Sequence, residues 1–354
     1  MKGILLHGGH GTRLRPLTHT GPKQLLPIAN KPMSQYCIES MKDAGITDIA
    51  IIVGGIGANK VKEYYGTGKD FGVRLTYIEQ DEPRGIAHAI NLGKEFVGNN
   101  TFVVFLGDNI IQKNISNYVR MFEQSDSKAL ILLCEVDRPA RFGIADVKNG
   151  KIIRIIEKPK NPPTNLAVTG IYFLTPVIFD IISKLKPSWR NELEITDALQ
   201  KLLEENYKIS YNTITEYWKD TGTPEDIIHA NAAILKNMKP YFYGEKENGV
   251  SISGNVMVDK GSIIKNGSKI TGPLIIGKNC VIGPDTYIGS NTSIGDNSKL
   301  FKCHVENSII MSGCNIDGDF TIKDSIIAFN SDIVKSKNSG SKVFLLGEGT
   351  KISL

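Results

Sequence analysis

The chain has 354 residues, 41 % of them apolar, enough for one large domain and a smaller one around buried cores. Its net charge of +5 comes from 42 basic and 37 acidic residues spread along the sequence, without the Lys/Arg block that nucleic acid selects. Five cysteines (Cys37, Cys134, Cys280, Cys303 and Cys314) form no CxxC pair, which argues against a disulfide framework or zinc site. With no signal peptide and no apolar run of ~18–20 residues, this points to a cytoplasmic protein that neither spans a membrane nor binds nucleic acid.

The opening apolar run reads as a strand that breaks into "GGHG", placing Gly8, Gly9 and Gly11 where a phosphate is commonly held. A Walker loop would need a lysine after its last glycine, and none stands there. A dinucleotide fingerprint would need a third glycine where Leu14 stands, and Pro16 and Gly21-Pro22 exclude an immediate long helix. The glycines therefore open an extended loop whose N–H groups can line an anion, with Arg13 and Lys23 adding fixed positive charge.

"SQYCIESMKDAG" reads as a helix with Cys37, Met41 and Ala44 on one side and Gly45 as its C-cap. "DIAIIVGG", "VRLTYIEQ" and "TFVVFLGD" read as strands, and "GIAHAINLGKEF" as a helix. This alternation predicts a Rossmann-like α/β domain with a mostly parallel sheet over residues 1–239, with ligands at the carboxyl ends of the strands. Three such ends carry polar groups: the opening glycines, Gln80, and Gly107-Asp108.

From about Val250 the texture changes. Ile252, Val258, Ile264, Ile270, Ile276, Ile282, Ile288, Ile294 and Leu300 stand six apart, and Gly277, Gly283, Gly289 and Gly295 each follow one of them. After a ten-residue step the period resumes at Ile310, Ile316, Ile322, Ala328 and Val334. An aliphatic every six residues predicts a parallel β-helix over residues 250–354, with three hexads to a coil and about five coils. On this reading residues 240–249 are a linker, 301–309 a shifted or looped coil, and the tail carrying "KVFLLGEG" offers a further strand or two.

"GGHGTRLRPLT" followed by "PKQLLPIANKPM" resembles the sugar nucleotidyltransferase family. "KQLLP", "FLGDN", "EKP", "AVTGIYF", "ELEITD" and "YWKDTGTPEDI" resemble its glucose-1-phosphate thymidylyltransferases, and the hexads resemble their long form with a C-terminal left-handed β-helix. Two positions depart from the family pattern: His7 stands where Ala or Ser is usual, and Asn191 where Gly is usual.

The resemblance implies that a sugar 1-phosphate attacks the α-phosphorus of dTTP, giving dTDP-glucose and pyrophosphate, with catalysis by positioning and charge neutralisation. It implies a nucleotide site of Leu6, Gly8, Gly9, Gly11, Thr12, Arg13, Gln24, Gln80, Pro83 and Gly85, with the Gln80 amide matching the edge of thymine or uracil. It implies a sugar-phosphate site of Asn109, Gly143, Glu157, Lys158, Val168, Tyr172 and Trp218. Arg13, Lys23, Asp108, Lys158 and Asp220 are the implied catalytic residues, and Asp108 and Asp220 the implied Mg²⁺ ligands. The alternatives are a UTP-dependent uridylyltransferase and a catalytically weak regulatory relative. An acyltransferase in the coil is a weaker reading, since His304 is the only histidine there. A homo-oligomer, trimeric or tetrameric, is expected through the coil.

Overall fold

The computed structural model describes residues 1–9, 11–55 and 57–335, so the "KVFLLGEG" tail lies outside the described residues. The chain divides into two compact units. The first comprises Met1–Gly11, Thr20–Leu25 and Met33–Asp220; the second comprises Thr12–His19, Leu26–Pro32 and Thr221–Leu354. No helix among the described residues is long and apolar enough to cross a membrane.

The first unit is built on a nine-stranded mixed sheet. Strand Lys2–His7 lies at its centre, parallel to Asp48–Val53 on one side and to Phe102–Leu106 on the other. Arg74–Glu79 extends the first side in parallel, and Leu166–Leu174 joins the second side antiparallel. Successive side chains of a strand point to opposite faces, and both faces of this sheet are covered. Ile4 and Leu6 enter a core with Ile90, Phe179 and Leu199 from helices Ile86–Leu92, Val177–Ile182 and Ile195–Glu204. Leu5 enters the opposite core with Ile38, Val61 and Phe122 from helices Met33–Asp43, Ala58–Tyr65 and Ser116–Glu123. The single helix expected over 85–96 is two, Ile86–Leu92 and Lys94–Val97, broken at Gly93. A Cβ on Gly93 would come within 2.6 Å of Ile4, so the chain bends where it presses on the central strand.

The second unit is a left-handed parallel β-helix of three sheets with six, six and five strands. Ile264, Ile270, Ile276, Ile282, Ile288, Ile294 and Leu300 are fully buried inside it. Corners at Asn279, Asp285, Asn291 and Asn297 have φ of 54–61°, a left-handed conformation that Asn and Asp tolerate. A small buried residue stands two positions before most inward aliphatics and bonds to a neighbouring carbonyl. Ser262 donates to Gly277 O (2.5 Å), Cys280 to Gly295 O (3.2 Å) and Cys314 to Ala328 O (3.1 Å). Cys280, Cys303 and Cys314 are thus buried small residues with the packing role that Ser and Thr take elsewhere in the coil.

The structure corrects the sequence reading in three places. The ten-residue step is two contracted steps of five, with Val305 fully buried between Leu300 and Ile310 and corners at Lys302 and Asn307. A further five-residue step puts Ile327 and Ile333 inside, pairing with Ile310 and Ile316, rather than Ala328 and Val334; Val334 is 55 % exposed. Residues 240–249, read as a linker, carry strands Tyr241–Phe242 and Glu245–Lys246, which pair with Val256–Val258 and Ile263–Ile264 as the first coil.

Helix Pro224–Asn237 belongs to this unit. Thr223 caps it by accepting from Asp226 N, and Pro224 fits its first turn. Its Leu235 packs with Ala29, Met257 and Ile275. Its fully buried Asn231 accepts from Ala29 N (2.8 Å) and Ser293 Oγ (2.6 Å) and donates to Asn291 O (2.9 Å).

Candidate active site

The parallel register aligns the carboxyl ends of four strands. His7 pairs with Val53, Val53 with Glu79, and Leu6 with Leu106, so Gly8, Gly54, Gln80 and Gly107 leave the sheet at one edge. The chain adds strands to one side of Lys2–His7 and then crosses to the other, a reversal that opens a crevice where such sheets hold ligands. A cavity of about 570 Å³ lies at this edge, lined by Thr20, Gly54, Gly57, Lys60, Glu79 and Gln80 among others.

Around the glycine loop, Leu6 and Gln24 are buried, and Gln24 Nε2 donates to Gly8 O (3.1 Å). Gly9 has φ +99°, beyond what a side chain readily accepts. His7, the first departure from the family pattern, lies edge-on to Tyr65 with both ring nitrogens unpartnered. Its burial pushes the imidazole pKa down to about 3 against the pull of Asp108, so His7 is a neutral packing group at ordinary pH. Thr12 and Arg13 form a 3₁₀ turn in the second unit, where a Cβ on Gly222 would come within 3.2 Å of the Arg13 guanidinium.

Lys23 and Asp108 form an ion pair in the first unit. Burial alone would raise the Asp108 pKa, but the charge and hydrogen bond of Lys23 and the amide of Asn109 outweigh it and hold the carboxyl below its ordinary value. Asp220 pairs with Asn109 across an antiparallel two-stranded ladder, so its backbone stands opposite the residue after Asp108. A carboxylate in the turn before one strand and another on the strand paired with it suit a hard divalent cation that takes its remaining ligands from water and phosphate.

Asn109 itself is a hub. Its Oδ1 accepts from Gly170 N (3.1 Å) and Trp218 Nε1 (2.8 Å), and its Nδ2 donates to Asp108 Oδ1 (3.0 Å). Trp218 also meets Phe142 edge-on at 5.9 Å. Glu157 pairs with Gly143 in the strand register, accepts from Thr196 Oγ1 (3.0 Å), and lies 3.3 Å from the Lys158 ammonium and 3.5 Å from Arg190. A Cβ on Gly143 would come within 2.4 Å of Thr196, which explains a glycine there. Val168 and Tyr172 are buried on either side of a register shift, and burial, followed by the charge of Glu157, pushes the Tyr172 hydroxyl pKa up. Pro83 lies exposed in the turn before Gly85, whose φ is +106° and whose Cβ would strike Leu193 O at 2.5 Å.

Sequence reasoning missed several supporting residues. Arg190 bridges Glu157, Glu192 (2.8 Å) and Glu194 (3.2 Å), and burial together with the Glu157 charge raises the Glu194 pKa. The run "RNELE" is the only local hint of that cluster. Asn191, the second departure, has φ +60°, the conformation for which glycine is favoured and asparagine the next choice. His88 meets Gln80, its Nδ1 2.9 Å from Gln80 Nε2.

Residues 2–237 match the nucleotidyl transferase family and residues 252–353 match the GMPPB C-terminal domain. The chain is 44 % identical over 353 residues to the low-salt glycan biosynthesis nucleotidyltransferase Agl11 of Haloferax volcanii, covering 99 % of this chain and 97 % of that one. It is 40 % identical to a glucose-1-phosphate thymidylyltransferase of Streptomyces antibioticus, covering 100 % and 99 %. A crystal structure from Bacillus anthracis, described as a glucose-1-phosphate thymidylyltransferase in complex with sucrose, superposes with TM-score 0.64 at 43 % identity, over 68 % of this chain and 98 % of that one. With the glycine loop, the Lys23–Asp108 pair and Gln80 on one sheet edge, and with relatives matching from end to end, the chain belongs to the sugar nucleotidyltransferase family, as a nucleotidyltransferase acting on a sugar 1-phosphate.

Proposed function

We propose that the protein transfers the thymidylyl group of dTTP to glucose 1-phosphate, giving dTDP-glucose and pyrophosphate. The observation that carries this reading is the Gln80 amide at a strand end of the same sheet edge as Gly8 and the Lys23–Asp108 pair. A side-chain amide matches the N3–H and O4 edge of thymine or uracil. The 40 % identity to a thymidylyltransferase over the full length favours dTTP. UTP is the second reading, because one methyl group in a pocket is worth only ~1–3 kcal/mol.

An oxygen of the sugar 1-phosphate attacks the α-phosphorus in line. The bond from the α-phosphorus to its bridging oxygen breaks, and pyrophosphate leaves with the electron pair. The attacking phosphate is already an anion, so the chain needs no nucleophile of its own. Gly8, Gly9 and Gly11 let backbone N–H groups approach the triphosphate, and Thr12 and Arg13 take its β- and γ-phosphates. Lys23 and Asp108 put an ammonium and a carboxylate side by side, the first for the α-phosphate and the second for Mg²⁺. Asp108 and Asp220 would hold that ion, which when bound supplies charge neutralisation on the phosphate oxygens. Lys158 takes the sugar phosphate, and Glu157, fixed by Thr196 and Arg190, accepts from glucosyl hydroxyls. We assign the coil to assembly of a trimer or tetramer, which light scattering tests.

Pyrophosphate release over dTTP, UTP, CTP, ATP and GTP, crossed with the 1-phosphates of glucose, N-acetylglucosamine and mannose, tests the reading. Preference for dTTP with glucose 1-phosphate is expected; efficient use of a purine triphosphate overturns it. Asp108→Asn should fold and lose turnover by orders of magnitude.

A further inference from the structure

Gln80 follows strand Arg74–Glu79 and is 6 % exposed. Its amide is gripped from one side, with Nε2 2.9 Å from Nδ1 of His88 on helix Ile86–Leu92. The carbonyl oxygen turns the other way, and a Cβ on Gly8 would come within 3.0 Å of it. The two ends of a primary amide have opposite meanings, one accepting and one donating. Thymine and uracil offer a donor at N3 and an acceptor at O4, whereas cytosine offers an acceptor at N3 and a donor at N4. A glutamine free to turn its amide through 180° could pair with either class, so discrimination requires that the amide be held one way round.

We propose that His88 is the positioning residue that sets base specificity: its unprotonated Nδ1 accepts one N–H of Gln80 and holds the amide in the order that matches a 4-oxo pyrimidine and mismatches cytosine. The proposal rests on the reading of Gln80 as the base-recognising residue. A flipped amide would set its oxygen against the Nδ1 lone pair at 2.9 Å, two acceptors facing each other, unless the ring proton moved. Partial burial of His88 and then the nearby Arg84 charge hold its pKa below the ordinary value against the pull of Asp81, which favours the neutral ring; the Nδ1 lone pair is then available in the Nε2–H tautomer. A correctly ordered pair of hydrogen bonds discriminates by roughly ten- to a hundredfold against the wrong base.

The experiment measures kcat/KM for dTTP, UTP and CTP with the sugar 1-phosphate that the panel above identifies. It compares the wild type with His88→Leu, which has no acceptor, His88→Asn, whose Oδ1 can stand in for Nδ1, and Gln80→Ala. His88→Leu should lower the ratio of 4-oxo pyrimidine to CTP about tenfold or more, through KM, with kcat for the preferred nucleotide within about threefold. His88→Asn should restore most of the ratio. If Gln80→Ala collapses the ratio and His88→Leu leaves it within about twofold, or lowers kcat equally for all nucleotides, His88 does not orient the amide. If Gln80→Ala itself leaves the ratio unchanged, the reading of Gln80 fails and takes the proposal with it. Should leucine at 88 prevent folding, judged by circular dichroism, His88→Ala is read in the same way.

Discussion

Replacing Asn109 separates its two candidate roles, sugar ligand and internal hub. The residue is 3 % exposed, and its oxygen serves a buried donor, Gly170 N, and a half-buried one, Trp218 Nε1. Asn109→Ala strips both at once. A buried donor left unpaired costs about 1–3 kcal/mol and a half-buried one less, so a loss of about 1–4 kcal/mol is expected. Asn109→Asp keeps both acceptor contacts but sets a second carboxylate against Asp108 in place of the amide that now donates to it. That variant should keep most of its stability and lose turnover, because the added charge disturbs the Lys23–Asp108 pair. Urea unfolding followed by near-ultraviolet circular dichroism reads the first effect, and pyrophosphate release reads the second. A stability loss below about 1 kcal/mol in Asn109→Ala, with a raised KM for the sugar 1-phosphate, would refute the hub and favour the sugar ligand.

In the second unit, Asn231→Leu leaves Ala29 N, Ser293 Oγ and Asn291 O without their partner and should cost about 2–4 kcal/mol in calorimetry, while Ser293→Ala costs about 1. At φ +60°, Asn191→Gly should be neutral within about 0.5 kcal/mol and Asn191→Val should cost about 1–2, measured as denaturation midpoints. Cys37, Cys280, Cys303 and Cys314 are buried and Cys134 is half-exposed, with burial raising its pKa. One thiol should therefore react with an aromatic disulfide reagent in the native protein, more slowly than a free thiol, and all five after denaturation; two or more fast native thiols would contradict the packing.

What the sequence made legible was whatever has a local spacing. Apolar runs ending in Gly or Asp mark the strand ends at Gly8, Gly54 and Gly107, because a parallel strand buried on both faces must be apolar throughout and must change character where it leaves the sheet. The coil was legible for the same reason, since an inward aliphatic must recur at every face. Its contraction was not: two steps of five imitate one missed step in a scan for six, and only the left-handed corners at Lys302 and Asn307 reveal where the chain shortens. The contacts that orient the site were also hidden. Thr196 reaches Glu157 across 39 positions, and Trp218 reaches Asn109 across 109. A hydrogen bond across space imposes no period on the sequence, so such residues can be found only from the fold.

The stretch from Thr12 to Pro32 is divided between the two units. Lys23 and Gln24 belong to the first unit, while Thr12–His19 and Leu26–Pro32 cluster with the coil and helix Pro224–Asn237. Ala29 and Asn30 both take left-handed backbone conformations, at φ 48° and 62°. For alanine that conformation costs about 1–2 kcal/mol, and it persists only where the surroundings fix it. Here they do. Ala29 N is held by Asn231, Asn30 Nδ2 donates to Ile294 O at 2.7 Å, and the Ala29 side chain packs against Leu235 and Met257. The residues "IAN" therefore adopt their bend because the coil holds it. The second unit thus fixes the bend at Ala29 and Asn30 from within, through the Asn231 amide and the Ile294 carbonyl.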